Sequence, residues 1–268
     1  MAIAVEPAHP PTSTAPGLSV GMMGMYIFLC SEVMFFGSMF AAYYYIFGSH
    51  PEGWPPAKTH PVEWFPTPLV NTFVLFTSGV TCHFALDSLT HGGRSRHKYG
   101  AAMLVVGIVC MVASGLAALS AGERGYFAAG LGLAGAVITA MNLLPMLGMG
   151  PFLTGRQAFI GLLVGTIVLG AGFELGQLYE FANAQIKFQG LNQFSSTFFT
   201  MTGFHGVHVF GGLILLTLVL GRTLKGNFSA NNHLFVAAAT LYWHFVDVVW
   251  IFLFLILYLA VTAVPGSN

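Results

Sequence analysis

Charge is what this sequence has least of. Lysine, arginine, aspartate and glutamate make up 7% of its 268 residues; a soluble domain carries about 25%. Hydrophobic residues make up 56%, and the mean hydropathy is +0.76. So little charge cannot cover a water-facing surface, which excludes a soluble domain and indicates a multispan membrane protein. Nine basic and nine acidic residues leave no net charge, so there is no electrostatic footprint for nucleic acid. Cysteine is also scarce. Cys30, Cys82 and Cys110 lie far apart within apolar runs and read as small packing residues, not a disulfide framework or a zinc motif. Met1–Leu18 has neither the basic nor the apolar region of a signal peptide, and its Pro, Ala, Thr and Ser content predicts a disordered lead-in.

Long apolar runs are what the chain has in abundance. A membrane span needs about 20 such residues. Seven segments qualify, at roughly 19–47, 69–89, 100–120, 126–147, 157–180, 195–220 and 235–262. The expected fold is all-α: a polytopic membrane helix bundle of seven transmembrane helices, forming a single domain over 19–264. The breaks carry loop chemistry. Six prolines between His50 and Pro68 exclude a helix there. Arg94, Arg96, Lys98, Arg156, Arg222 and Lys225 fall on one side of the membrane, and Lys58, Arg124 and Lys187 on the other. This bias places the N-terminus in the cytoplasm and the C-terminus outside. The third and fourth segments are rich in glycine and alanine and joined by a short polar turn. They read as an antiparallel hairpin packed through small residues.

The polar residues inside the spans are the candidates for chemistry. Tyr242–Trp250 holds His244 and Asp247, three apart and so on one helix face. A carboxylate at that depth is a functional hypothesis in search of a partner. Elsewhere stand Glu32, then His83 with Asp87, then Glu174, Gln177 and Glu180, then His205 and His208. With a rise of about 1.5 Å per residue, Glu32, His208 and Asp247 share one level near mid-membrane. The expectation is that Asp247 bonds a histidine of the sixth segment, so that His205, His208, His244 and Asp247 form one polar network. Glu32 has no obvious protein partner and is expected to stay neutral. Three readings stand open: a metal site built from the histidines and Asp247, a proton path through Glu32, and a satisfied network that fixes helix packing. The last is favoured, because no Glu-x-x-His pattern accompanies the histidines. No residue reads as catalytic. His83 reads as a hydrogen-bonded helix residue.

Four blocks carry a resemblance. They are Ser31-Glu-Val-Met-Phe-Phe36; Trp54-Pro-Pro56 with His60-Pro61, Pro68-Leu-Val-Asn-Thr72 and Ser78-Gly-Val80; Ser196-Thr-Phe-Phe199 with Thr202-Gly-Phe-His-Gly-Val-His-Val209; and Tyr242-Trp-His-Phe-Val-Asp-Val-Val-Trp250. Together they resemble subunit III of the haem–copper respiratory oxidases, most closely the cytochrome c oxidase type. The resemblance implies an accessory subunit with no redox centre, no catalytic residue and no metal of its own. Haem and copper would sit in subunits I and II. The chain would pack mainly against subunit I and support assembly and proton uptake in a proton-pumping complex of aerobic electron transport. The complex would lie in a bacterial plasma membrane and pass electrons from cytochrome c to oxygen. Other respiratory complexes are further candidate contacts. Phospholipids would fill a V-shaped cleft between the first two helices and the rest. Glu32 would lie in that wall, and Arg222 and His233 would be the lipid-phosphate ligands.

The chain departs from that pattern in places. It lacks two opening helices of the family and gains a helical hairpin and loop over 99–155. Leu86-Asp87 stands where paired histidines are common, and one histidine of an Asn-His-His run is replaced in Asn231-Asn232-His233. Two rival functions remain: subunit III of a quinol oxidase, and an independent transporter using Glu32 and Asp247.

Overall fold

The computed structural model describes residues 19–50, 54–55, 67–90, 155–183 and 192–262, with twelve helical positions between 104 and 139. The lead-in 1–18, most of the proline-rich connection, the Arg94–Lys98 cluster and the loop 184–191 lie outside the described residues. Five long helices carry the fold. They are α1 (Val20–Gly48), α2 (Thr67–Thr90), α3 (Gly155–Asn183), α4 (Gln193–Leu224) and α5 (Leu234–Leu253). The rod of α5 continues through a π turn, Phe254–Leu259, into Ala260–Thr262. Outside the helices, the described residues hold one isolated bridge, Ser229 with Asn232. All five helices are long and apolar enough to cross a membrane, which makes this a multi-pass membrane protein.

Local chemistry explains where the helices begin and end. Ser19 caps α1 by accepting from the Met22 N–H at 3.3 Å. Asn192 does the same for α4, accepting from the Ser195 N–H at 2.8 Å. The far end of α4 is closed by another helix. The Arg156 guanidinium at the start of α3 donates to the carbonyls of Thr223 at 3.0 Å and Leu224 at 3.4 Å. Those carbonyls have no partner within their own helix. Gly226 then turns the chain at φ +82°, a conformation glycine adopts without strain. The 32 residues of α4 span about 48 Å, longer than the ~30 Å hydrocarbon core. Both of its ends therefore reach the headgroup layer.

The core is organised on α2 and α5. Asn71, Thr72, Thr77, Ser78 and Thr81 of α2 are all buried. Thr72, Ser78 and Thr81 can be buried because each hydroxyl bonds back to a carbonyl of its own helix. Two of these hydroxyls also accept from indoles of α5: Trp243 Nε1 donates to Ser78 at 3.0 Å and Trp250 Nε1 to Thr72 at 2.9 Å. Trp243 is wholly enclosed, and its ring lies flush on Gly170 of α3 and Gly212 of α4. A methyl group at either glycine would meet the ring at 2.7 Å. One side chain thus joins four helices, and small residues make room for it.

The first two helices do not stand together as one wall. The neighbours of α1 are α4 and α5, whereas α2 packs on α3 and α5. The expectation of a paired wall is corrected here. Burial explains it: α2 carries small hydroxyl and amide side chains suited to a tight core, while most large side chains of α1 stay exposed. An aromatic column holds α1 in place. Phe28 stacks on Tyr242, Phe35 meets Phe204 edge-on, Phe36 meets His208 and Phe245, and Phe40 meets Phe252. Toward the C-terminal end of α1, Tyr43 accepts from Trp54 Nε1 at 3.0 Å, and Trp54 packs edge-on against Phe194 of α4.

The described positions of the third and fourth segments are helical, and glycines mark their contact. Gly107 faces Thr139, Gly135 faces Cys110 and Met111, and Gly132 faces Ser114. The order is antiparallel and the contact residues are small, as expected from the sequence. Cys110 of this pair lies against Thr77 of α2.

Candidate functional site

Glu32, His205, His208, His244 and Asp247 fall into three separate places. The first lies between α1 and α4. His208 Nδ1 stands 2.7 Å from the Phe204 carbonyl one turn earlier, so that nitrogen carries the proton it donates. His208 Nε2 faces Glu32 Oε2 at 3.1 Å. The Tyr242 hydroxyl donates to the His208 carbonyl at 3.0 Å and fixes the turn that carries it. Phe35 and Phe36 close over the imidazole. The two side chains are 15% and 18% exposed.

The geometry sets the proton count. With Nδ1–H committed to a carbonyl, the Nε2···Oε2 axis holds a single proton. It sits either on the carboxyl, giving acid and neutral imidazole, or on the ring, giving carboxylate and imidazolium. Both forms have the same net charge. A proton can therefore change sides without placing an unpaired charge in the bilayer, which is the costly alternative.

This pairing corrects two expectations. Glu32 is not without a protein partner, and His208 is not the partner of Asp247. Glu32 and His208 do meet, as their shared depth allowed. Depth carried no information on which way each side chain points. Tyr242 reaches α4, and Asp247 lies five residues on, a rotation of about 140°. That turn takes the carboxylate away from α4 and toward α2.

The second place is the α2–α5 seam. Asp247 Oδ2 sits against Gly79, where a methyl group would overlap it, and 3.6 Å from His244 Nδ1 on its own helix. One turn along, the His244 and His83 rings lie 6.1 Å apart. The seam has two parallel lines of contact. The inner line holds Cys82 with Thr240, Ser78 with Trp243 and Thr72 with Trp250. The outer line holds Gly79 with Asp247 and His83 with His244.

His205 is the third place and joins neither group. It is completely buried, stacked on Trp250 with ring centroids 5.1 Å apart and met edge-on by Phe173. Neither ring nitrogen has a hydrogen-bond partner among the described residues. The expected four-residue network of His205, His208, His244 and Asp247 is thus divided three ways. Among the described residues, no three histidine, cysteine or carboxylate side chains converge on a metal-binding geometry.

The end of the bundle where α4 stops and α5 begins holds Arg222 and His233. The Arg222 guanidinium lies over the Phe228 and Phe235 rings at 5.7 and 5.4 Å. His233 begins α5. The two flank one short connection, Lys225–His233, and Arg222 is exposed. Sequence reasoning missed three participants: Gly79, Ser78 and Arg156. The first two lay in the quoted Ser78-Gly-Val80 block, but a glycine or serine acquires a role only when its neighbour across the seam is known.

Comparison with known proteins supplies the context. The family model "Cytochrome c oxidase subunit III" matches residues 7–141 and 152–261. The chain is 33% identical to cytochrome c oxidase subunit 3 of Loxodonta africana over 242 residues, 88% of this chain and 67% of that one. It is 34% identical to the same subunit of Lumbricus terrestris over 239 residues, 88% of this chain and 68% of that one. Against that of Madoqua guentheri it is 33% identical over 254 residues, 93% and 72% of the two chains.

Proposed function

The chain belongs to the cytochrome c oxidase subunit III family, and on that premise we propose that it serves as the non-redox subunit of a proton-pumping cytochrome c oxidase. The carrying observation is the family match across most of the chain. In this reading haem and copper reside in subunits I and II, and subunit I is the main contact. The five described spans and the two of the hairpin make seven, with the N-terminus cytoplasmic and the C-terminus outside a bacterial plasma membrane. The hairpin and loop over 99–155 are an addition that meets another subunit or a neighbouring complex.

The chain's contribution is scaffold, lipid and proton supply. A lipid cleft lies along α1, whose large side chains are mostly exposed and whose hold on the bundle is narrow. Arg222 and His233 hold lipid phosphates at its inner end, supported by the position of Arg222 at the end of a helix that reaches the headgroup layer. The Glu32–His208 pair supports proton uptake by subunit I. Its single-proton axis is the feature that favours this.

Purification with native partners followed by a visible spectrum tests the reading. Haem in the complex but none in the isolated chain is the expected result. A chain that purifies alone, carries out transport and associates with no haem-bearing subunit would replace this reading with a transporter. Preference for quinol over cytochrome c would move it to a quinol oxidase.

A further inference from the structure

Four polar side chains in the core each hold an atom without a hydrogen-bond partner among the described residues. His205 is wholly enclosed, and both of its ring nitrogens are in this position. So are Asn71 Oδ1, Gln177 Oε1 and Glu174 Oε2. Asn71, Gln177 and His205 are all 2% exposed or less. The amide nitrogens are in use. Asn71 Nδ2 donates to the Phe173 carbonyl at 3.0 Å, and Gln177 Nε2 reaches the Tyr258 hydroxyl at 3.5 Å, the long limit of such a bond. A buried amide oxygen or imidazole left unpaired is costly, and in native proteins such groups are met by protein or by ordered water.

All four belong to one junction of α2, α3, α4 and α5. Phe173 of α3 meets the His205 ring edge-on at 6.0 Å, and its carbonyl is the one that Asn71 bonds. Glu174, the next residue, lies against Gly206, the residue after His205. Gln177 stands about one turn further along α3. Trp250 of α5 stacks on His205 and meets both Phe173, at 4.8 Å, and Tyr258, at 6.0 Å. Tyr258 lies in the π turn Phe254–Leu259, with Glu180 beside its hydroxyl. Such turns are frequent at functional sites. Stacking on Trp250 occupies a face of the imidazole. Hydrogen bonds leave in the ring plane, so both nitrogens stay open to a ligand at the ring edge.

We infer that this junction is a binding site for water, an internal cluster of ordered molecules held by His205, Asn71, Glu174 and Gln177 where the four helices meet. Water fits the donor set. An amide oxygen needs a donor, a neutral imidazole needs one donor and one acceptor, and water supplies both. Five atoms await partners, and a buried water makes about three hydrogen bonds, so the cluster holds two or more molecules. It bridges α2, α3, α4 and α5 where direct bonds fall short. It is distinct from the Glu32–His208 pair, whose facing atoms bond each other. The helices of this chain alone enclose it, so it requires nothing of any partner subunit.

The test is radiolytic labelling of the protein as purified with its native partners. A short X-ray exposure makes hydroxyl radicals from bound water, and these mark the side chains beside it even where bulk solvent does not reach. Trp250 and Trp243 form a matched pair. Both are wholly enclosed, but Trp243 packs flush on two glycines with its N–H bonded to Ser78. In water enriched in heavy oxygen, Trp250 and Tyr258 should gain the label and Trp243 should not. Absence of label at Trp250, or equal label on the two tryptophans, overturns the inference. That comparison needs no substitution, so it stands even if a variant fails to fold. His205→Phe, similar in shape but without nitrogens, adds a second readout. It should abolish the label at Trp250 and lower the midpoint of thermal unfolding, because the water loses a partner. Removing a dry, unpaired imidazole would raise that midpoint instead. A raised midpoint, or label retained at Trp250, counts against the site.

Discussion

Glu32 and His208, 176 residues apart in the chain, meet at 3.1 Å and form the polar link between α1 and the rest of the bundle inside the membrane. The link is one hydrogen bond among many aromatic contacts. Glu32→Gln should therefore assemble with the other subunits. An amide can still donate to Nε2, so the loss of stability is about 1 kcal/mol or less. Turnover should change only mildly, because the proposed function keeps the pair out of the electron path. Haem content and oxygen uptake of the purified complex measure both. Complete loss of activity in a fully assembled complex would show that the pair does more than support proton supply.

Gly79 and Asp247 make the sharpest steric prediction. A methyl group at 79 falls on Asp247 Oδ2, so Gly79→Ala should destabilise the chain by about 1–3 kcal/mol. Asp247→Ala should also be destabilising, because it leaves His244 without its carboxylate. In the double variant the new methyl occupies space the carboxylate has vacated. The two effects should then be less than additive, with a coupling of about 0.5–3 kcal/mol. Thermal unfolding of the four proteins in detergent completes the cycle. Simple additivity would mean that the two residues do not meet.

The contrast between these two pairs shows what the sequence made legible. Hydropathy marked all five described spans, because a bilayer demands long apolar runs whatever the neighbours are. Height was legible as well, since rise per residue is constant, and it put Glu32 and His208 at one level. Direction was not. The face a side chain takes depends on which helices surround it, and α1 and α4 are brought together by contacts spread over the whole fold. Asp247 was assigned to the wrong helix for that reason. Gly79 was invisible as a participant because its role is to be absent where a carboxylate needs room.

Trp243 tests the core. Ser78→Ala removes the acceptor of a wholly buried indole N–H, which costs about 1–3 kcal/mol when no other acceptor is at hand. Trp243→Phe removes the donor instead and leaves Ser78 bonded to the Leu75 carbonyl, so the hydroxyl stays satisfied. It also leaves a gap between Gly170 and Gly212. Adding Ser78→Ala to Trp243→Phe should cost little further, because the bond is already gone. A second full penalty in the double variant, read by denaturation midpoint, would show that the indole bond carries no weight.

Two arginines near the end of α4, Arg156 and Arg222, should separate the proposed lipid binding from stability. Arg156 donates to the last carbonyls of α4; removing it leaves the Thr223 carbonyl with the Gly226 N–H, 2.9 Å away, and takes the guanidinium donor from both carbonyls. Arg156→Gln should lower stability by about 0.5–1.5 kcal/mol and leave bound lipid unchanged. Arg222 makes no such bond to a carbonyl among the described residues. It rests on Phe228 and Phe235 with its charge at the headgroup level. A basic side chain there contributes about 1 kcal/mol toward an anionic lipid, close to a fivefold change in affinity. Arg222→Gln should thus lose anionic phospholipid from the purified complex, counted by native mass spectrometry, with a smaller effect on unfolding than Arg156→Gln. If Arg222→Gln retains its lipid while Arg156→Gln loses it, the lipid site belongs to the start of α3 and not to the end of α4.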